Sequence, residues 1–504
     1  MPNNLLSALG KDYKLLHFGD LADVCNRHGS IFQLFESLYK ESFAPNERIV
    51  FYSSHRPSLK ILNHLQRAAS TIDISNWFII ICGPHDITQD LAQANQKYGY
   101  DAHSISWHQT KLAVSTLLDD NNIYPYEGLC PAPFNSISTQ TNLNVSPCCK
   151  YEGITGNLKN NSIVEIMKSA ASHRIRQQFK QGIKPHECNV CWKIESLGGT
   201  SFRQHLLDKD GFAADLTYID TPEVKSFSTM LGTACNFKCR ICSSNNSTAI
   251  AAEELRFTTD INKKQELLTH IQNTAVFDFE QYLTTLAPIL PSLAMLHMLG
   301  GEPLLEKNFI PLLDFIIKTG HNTHIKIHIN TNGSIWNDEL ISRLIQFEGV
   351  EILISLDDIG KRFEVQRGGN WESVDQNVQR WANLRSNIFV VKIVPTVNIQ
   401  NVLYLDQLIT YCQKLNLEIV WWYLEEPEVC CIDNMTSTAK QLVYTRYVNH
   451  ANPELKQIAK RMTQTPATSG NLFLALMNEY DRRRGTNFAD AHREIVDAMQ
   501  IDKT

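Results

Sequence analysis

Cys235, Cys239 and Cys242 share one short stretch, LGTACNFKCRICSS, in a CxxxCxxC spacing. Three thiolates on one loop can ligate three irons of a cubane cluster and leave the fourth iron without a protein ligand, open to a substrate or cosubstrate. A structural zinc loop uses the same residue type but requires four closed ligands. Further along, LGGEPLL places Glu302 behind Gly300 and Gly301 and before Pro303. Such glycines let backbone approach a ligand closely, and the carboxylate can accept from an ammonium group. Taken alone, it would be an ordinary strand-to-helix turn. Four more thiols, Cys130, Cys148, Cys188 and Cys191, combine two distant cysteines with a CxxC. That set suits zinc or iron-sulfur, and Cys149 competes with Cys148 for one position. Cys430 and Cys431 are adjacent, so they could ligate, protect a radical or do nothing.

These residues need elements to hold them. Strands are expected at Val224 to Leu231, Leu293 to Leu299, His324 to Asn330, Val350 to Leu356, Phe389 to Thr396 and Glu418 to Tyr423. Helical stretches intervene near Phe309 to Thr319, Asp338 to Phe347, Val374 to Arg385 and Leu405 to Leu415. Six βα units with right-handed crossovers make an incomplete barrel with its chemistry at the strand C-termini. Upstream, Cys130 precedes a strand pair returning at Val145 to Cys148, and a helix over Ser162 to Gln181, capped by Ser162, leads to the CxxC. Before that, strands at Glu47 to Ser54, Trp77 to Pro84 and Ala102 to His108 alternate with helices near Leu59 to Ala69 and Ile87 to Tyr98, a βαβ open sheet. His55, His85 and His108 fall at its strand ends, and Cys82 reads as a small core residue. The expected segments are 1–122, an α/β open-sheet domain for docking substrate or partner; 123–204, the cysteine-rich module; 215–426, the barrel; and 427–504, helices packed on it. In the last, the charged run Asp481 to Arg484 reads as a solvated helix end.

A chain of 504 residues with 43% hydrophobic content can bury two or three cores. Net charge -6 and pI near 6.3 argue against a broad basic surface, so nucleic acid is not an expected partner. The longest apolar runs have strand length, so no membrane is expected either. Thirteen cysteines without a signal peptide point to a reducing, cytoplasmic compartment, where clustered thiols act as metal ligands.

The cysteine loop, with the apolar Ile241 before its third cysteine, followed one βα unit later by GGEP, resembles the radical S-adenosylmethionine (SAM) superfamily. The fold this implies is a partial (βα)6 TIM-type barrel. The resemblance implies a 4Fe-4S cluster on Cys235, Cys239 and Cys242 whose open iron chelates SAM. It places the SAM amino group at Gly300 to Pro303, lines the pocket with Asn330 and Asn332, and brings Ser355 to the ribose. Arg367, in ISLDDIGKRFEVQRGG, would pair with the SAM carboxylate, and Val397 would lie where backbone packs on adenine. Asp357 and Asp358 read as helix N-caps that could still face substrate. CPxPF, VxPCC, GNL and PxxCxxCW resemble the twitch or SPASM-type auxiliary module, here N-terminal to the barrel. It implies a second, auxiliary 4Fe-4S cluster on Cys130, Cys148, Cys188 and Cys191. The usual Asp-Gly turn before VxPCC is replaced by Asn142-Leu143.

The activity implied is reductive SAM cleavage to a 5'-deoxyadenosyl radical that abstracts hydrogen from substrate, fed by a one-electron donor such as flavodoxin or ferredoxin. Oxidative peptide modification, a crosslink or dehydrogenation, is the leading reading. A small metabolite or cofactor precursor, or a zinc-stabilised adaptor without catalysis, are the alternatives. No catalytic residue is assigned.

Overall fold

The computed structural model describes residues 13–17, 48–53, 77–81, 130–196, 201–208, 223–274 and 278–500. The chain divides into two units. The first, residues 1–134 and 170–219, contains a parallel sheet of β1 (Tyr13–His17), β2 (Arg48–Ser53) and β3 (Trp77–Ile81), in that order. β2 and β3 fall where expected, whereas β1 lies in a start read as merely polar. The expected strand at Ala102 to His108, the helices beside it, Cys82, His55, His85 and His108 lie outside the described residues. This unit also holds helices Ala170–Lys180, Asn189–Ser196 and Phe202–Asp208.

The second unit, residues 135–169 and 220–504, is built on a nine-stranded sheet. In chain order the strands are β4 (Ser136–Thr139), β5 (Asn144–Ser146), β6 (Gly156–Asn157), β7 (Ser226–Met230), β8 (Met295–Leu299), β9 (Lys326–Thr331), β10 (Gly349–Ile354), β11 (Phe389–Ile393), β12 (Thr396–Val397), β13 (Glu418–Ile419) and β14 (Trp422–Tyr423). Nine of these eleven form the sheet, in the order β13-β11-β10-β9-β8-β7-β4-β5-β6. β7 to β11 and β13 are the six parallel strands of the partial (βα)6 barrel. β4 adds parallel to β7, so the cysteine hairpin β4–β5 continues the barrel sheet.

Strands five and six are shorter than expected. Pro395 has no N–H to give to the ladder, so β11 stops at Ile393 and β12 restarts as a separate ribbon with β14. The Pro395 carbonyl still accepts from Trp422 N at 3.1 Å. The hairpin turn differs in kind as well: Leu143 takes φ 66°, the left-handed conformation that glycine would take at less cost. Asn142 Oδ1 accepts from Asn144 N at 3.0 Å and fixes the turn. Ser162 caps helix Ile163–Lys168 in a capping box with Glu165, and the expected single helix breaks at Ser169, whose ψ is 157°.

One face of the barrel sheet is apolar. Phe227, Leu296, Ile327, Val350 and Phe389 form a continuous row, with Ile329, Ile352 and Val391 in the next. Both rows pack on helices Phe309–Lys318, Asp338–Leu344 and Trp371–Asn383, which follow β8, β9 and β10. A second core joins the loops after β11 and β13 to the C-terminal helices, through Val397, Ile399, Tyr447, Ile458, Phe473 and Ile495. Three helices matter most below: α1 (Thr248–Phe257), α2 (Gly360–Arg367) and α3 (Asn471–Arg484). Among the described residues no helix is long and apolar enough to cross a membrane.

In this second core His492 stacks on Phe488, ring centroids 4.2 Å apart, and Gln366 Nε2 lies 2.9 Å from its Nε2. Burial pushes the imidazole down to about 3 from an ordinary 6.5. The unfolded chain therefore takes up a proton that the native chain refuses as pH falls through 6.5, and stability is lost on acidification. Burial also pushes nearby Asp358 up, to about 6, so that group works in the opposite direction over much of the same range. His492→Gln should remove the first effect alone. Unfolding free energy measured between pH 7 and 5 should then differ in slope from the parent by up to about one proton; equal slopes would refute the neutral, buried imidazole.

Candidate functional site

The cysteine loop begins where β7 ends and is held from below by the last turn of α2. Lys238 N donates to Arg367 O at 3.1 Å, Arg240 N to Gln366 O at 2.8 Å and Arg240 Nε to Val365 O at 2.9 Å. These are carbonyls a helix leaves unpaired at its C-terminus. Gly368 ends α2 at φ 72°, and a Cβ on Gly369 would lie 2.3 Å from Phe237, the loop's anchor in the main core. Phe237 meets Phe363 of α2 edge-on. Ile241 packs instead against the second core.

Burial raises the pKa of all three thiols, and neighbouring cysteines add to it at Cys239 and Cys242. Burial, then neighbouring groups that include Cys242 and Cys235, pushes Cys239 up to about 12; burial and Cys235 push Cys242 up to about 11. Burial also raises Cys235. Such a set is strained as three thiolates and relaxed as ligands of a cation. Two N–H donors face its sulfurs: Arg367 Nη1 is 4.0 Å from Cys239 Sγ, and Asn332 Nδ2 is 4.0 Å from Cys235 Sγ. Arg367 is fixed by Asp357, with Nε to Oδ2 at 2.8 Å, and Asp357 Oδ1 accepts from Thr396 N at 2.8 Å. Although burial works to discharge it, Asp357 and Cys239 raise the pKa of the guanidinium. Asp357 and Asp358 are thus ion-pair partners, of Arg367 and Arg362, and the N-cap of α2 is Ile359.

The glycines of GGEP meet the cysteine loop. A Cβ on Gly301 would lie 2.3 Å from the Ala234 carbonyl oxygen, and one on Gly300, at φ 145°, 2.7 Å from that of Gly232. Glu302 N donates to Ala234 O at 2.7 Å. The Glu302 side chain is fully buried and accepts from Leu304 N, Thr331 Oγ1 and Asn332 N at 3.1, 2.8 and 2.6 Å. Burial raises its pKa against those bonds. A carboxylate offers about four acceptor sites, so one is left for a ligand. Pro303 opens a short helix capped by Glu302. Asn330 and Ser355 are half-buried at the ends of β9 and β10, and Val397 is buried with its carbonyl given to Leu424 N.

The sheet's other face was not recognised as a site from sequence. Ser138, Ser228, His297, His328 and Glu351 lie in one register row across β4, β7, β8, β9 and β10. His297 and His328 have ring centroids 4.6 Å apart, His328 Nδ1 is 2.8 Å from Glu351 Oε2, and Lys392 Nζ is 3.2 Å from Glu351 Oε1. Parallel sheets covered on both faces are aliphatic on both, and among the described residues this row departs from that pattern. The alternation in KIHINT was the available signal. Lys150, next to Cys149 after β5, pairs with Glu425 at 2.9 Å and lies over Trp422 of β14.

Among the other thiols, Cys130, Cys188 and Cys191 gather within the first unit, where Cys188 and Cys191 add to the burial that raises the Cys130 pKa. Arg203 there binds Glu195 through both Nε and Nη2. Cys148 and Cys149 belong to the second unit, Cys148 half-buried at the hairpin corner and Cys149 exposed. Cys430 is a core residue, and buried Cys431 lies 3.1 Å from the Leu424 carbonyl. Among the described residues no three His, Cys, Asp or Glu side chains gather as a single-ion site. The run Asp481 to Arg484 is not a free solvated end: Asp481 pairs with buried Arg240, and Arg484 with Glu253 and the Lys238 carbonyl.

Residues 229–409 match the family model described as the radical SAM superfamily, and residues 130–192 that of the SPASM iron-sulfur cluster-binding domain. No curated protein matches the chain. Solved structures with weak similarity include Native anSMEcpe with bound AdoMet and Kp18Cys peptide, at 13% identity over 44% of this chain and 59% of that one, TM-score 0.32. Another is Streptococcus suis SuiB bound to precursor peptide SuiA, at 13% identity over 63% of this chain and 69% of that one, TM-score 0.33. The chain thus spans about three fifths of the anSMEcpe structure. A 4Fe-4S cluster and SAM are the cofactors of the first domain, and an iron-sulfur cluster that of the second. The donor set at Cys235, Cys239 and Cys242, soft thiols held together on one loop and faced by N–H groups, fits the first of these.

Because the glycine contacts are backbone on backbone, Gly301→Ala has nowhere to put its methyl. It should lower stability by about 1–3 kcal/mol in chemical denaturation and reduce bound iron; a variant with parental stability and iron would show that the two loops are not in contact.

Proposed function

We propose that this chain, which carries a radical SAM domain and a SPASM iron-sulfur domain, is an enzyme of oxidative peptide modification. Bound cluster and SAM supply reductive cleavage to a 5'-deoxyadenosyl radical able to abstract hydrogen from an unactivated carbon. The observation that carries the reading is the convergence on one strand-end surface of the three thiols, Arg367, Asn332 and the buried Glu302. In it Cys235, Cys239 and Cys242 hold the cluster. Glu302 and the GGEP backbone take the SAM ammonium, and the N–H groups of Arg367 not held by Asp357 take its carboxylate. Asn330, Asn332 and Ser355 line the rest of the pocket, and backbone beside Val397 faces adenine. Asp357 is a positioning residue, because it sets the orientation of the Arg367 fork.

Substrate lies against the polar row of Ser228, His297, His328 and Glu351, a placement supported by the row's polar character on the strands whose ends carry the cysteines and Arg367. Cys130, Cys188 and Cys191 are ligands of the auxiliary cluster, with Cys148 taken from the sequence motif as the fourth. Full cysteine ligation suits a role in carrying away the second electron of a net oxidation. A peptide is favoured as substrate by the SPASM domain, and an external one-electron donor, such as flavodoxin or ferredoxin, reduces the first cluster.

Three measurements test this. The triple variant Cys235→Ala, Cys239→Ala, Cys242→Ala should form no 5'-deoxyadenosine under anaerobic reduction while keeping roughly half its iron; undiminished cleavage would sink the radical reading. Replacing Cys130, Cys188 and Cys191 together should spare SAM cleavage, halve the iron from about eight per chain and stop product formation. About four irons with one tightly held zinc in the parent chain would instead make that module structural. Glu351→Gln should leave substrate-free SAM cleavage unchanged and reduce product by about tenfold or more, a barrier change of about 1.4 kcal/mol; full product yield would remove substrate from the polar row.

A further inference from the structure

Between Cys239 and Cys242 stands Arg240, a fully buried arginine whose guanidinium makes four hydrogen bonds to oxygen and none to a cysteine. Nε donates to Val365 O of α2 at 2.9 Å, and Nη1 to Met477 O of α3 at 3.1 Å. Nη2 donates to Asp481 Oδ1 of α3 and, at 2.8 Å, to Thr486 Oγ1. Asp481 is itself held: Thr486 Oγ1 donates to its Oδ1 at 2.7 Å and Phe488 N to its Oδ2 at 2.8 Å. On the other side of Cys239, the Lys238 carbonyl accepts from Arg484 Nη1 at 2.7 Å, and Arg484 is braced by Glu253 of α1. With Lys238 N and Arg240 N already bonded to α2, the backbone on both sides of Cys239 is fixed by partners far away in sequence.

We propose that Arg240 is the positioning residue of the first cluster's loop, and that the last turn of α3 is a clamp that sets where Cys239 and Cys242 stand. The proposal rests on the reading above only for the identity of what the cysteines hold. Several acceptors around one guanidinium need its rigid fork, and an ammonium cannot reach them all from one position. Removing either member of the Arg240–Asp481 pair leaves the other charged and without its partner in the core. The loop would then keep its bonds to α2 through the backbone of residues 238 and 240 but lose the restraint from α3.

The test compares Arg240→Met, Arg240→Lys and Arg484→Gln with the parent, all purified anaerobically. Amide hydrogen exchange, iron content and low-temperature electron paramagnetic resonance of the reduced protein, with and without SAM, are measured. In Arg240→Met, exchange should quicken at least tenfold at the amides of residues 238–242, iron should fall toward half with the remainder at the other cluster, and the SAM-induced change in the resonance should be lost. Arg240→Lys should fall between the two, and Arg484→Gln should quicken exchange at the same amides while keeping most of the iron. If Arg240→Met does not fold, the Arg484→Gln comparison decides. Parental exchange at residues 238–242 overturns the proposal, as does an increase spread evenly over the second unit, the mark of mere loss of stability. Zinc in place of iron in the parent would sink the radical reading alone, since the exchange comparison still decides the clamp.

Discussion

The last turn of a helix leaves carbonyls without partners, and α2 gives its own to the cysteine loop. Much else follows from that transfer. The negative end of a helix dipole is a poor neighbour for thiolates unless cations intervene. Here Arg367 occupies the final turn with Nη1 toward Cys239, and Arg240 enters from the loop to bind Val365 O. The loop's N–H groups thus cap the helix end, and the Arg367 guanidinium sets a positive charge beside the sulfurs. Gly368 and Gly369 complete the joint, one by turning the chain at positive φ and the other by leaving room for Phe237.

A second joint ties neighbouring strand ends to the same loop. Gly300 and Gly301 bring backbone against backbone, and Glu302 then spans from β8 to β9 through Thr331 and Asn332. Asn332 in turn reaches Asn236 at 2.9 Å, back on the cysteine loop. The circuit from loop to GGEP turn to Asn332 and back to loop is closed by hydrogen bonds. Those to the buried Glu302 carboxylate are costly to break, because a buried acceptor would be left unsatisfied. Glu302 therefore does structural work before any ligand arrives, and what it can offer a ligand is its remaining lone-pair site.

The local parts of this arrangement were legible in the sequence, and the long-range parts were not. Cysteine spacing, the GGEP turn and the strand-helix alternation are all short-range signals, and the barrel follows from them. The break after β11 was in principle visible at Pro395, whose missing N–H interrupts a ladder. Asp481 to Arg484 was misread because its partners, Arg240, Glu253 and Lys238, lie more than two hundred residues earlier. A charged run looks the same whether its ions meet water or other elements. Asn142-Leu143 was recognised as a departure from Asp-Gly, but only the structure shows that the turn keeps a positive φ and Leu143 adopts it.

The two faces of the barrel sheet show how one pattern can be read for half of its meaning. In KIHINT the isoleucines account for the helices packed on one side, and the intervening polar residues look incidental. Register makes them a row: His328 lines up with His297 and Ser228 on one side and Glu351 on the other. Charge then makes the row coherent, since Glu351 accepts from Lys392 while facing His328. Grouped ionisable side chains away from water are costly unless they are paired, and Glu351 is paired with both His328 and Lys392. Glu351 is thereby held between Lys392 and His328 on the strands whose ends carry the cysteines and Arg367, so the orientation of this row is set by the same strands that position the cluster loop.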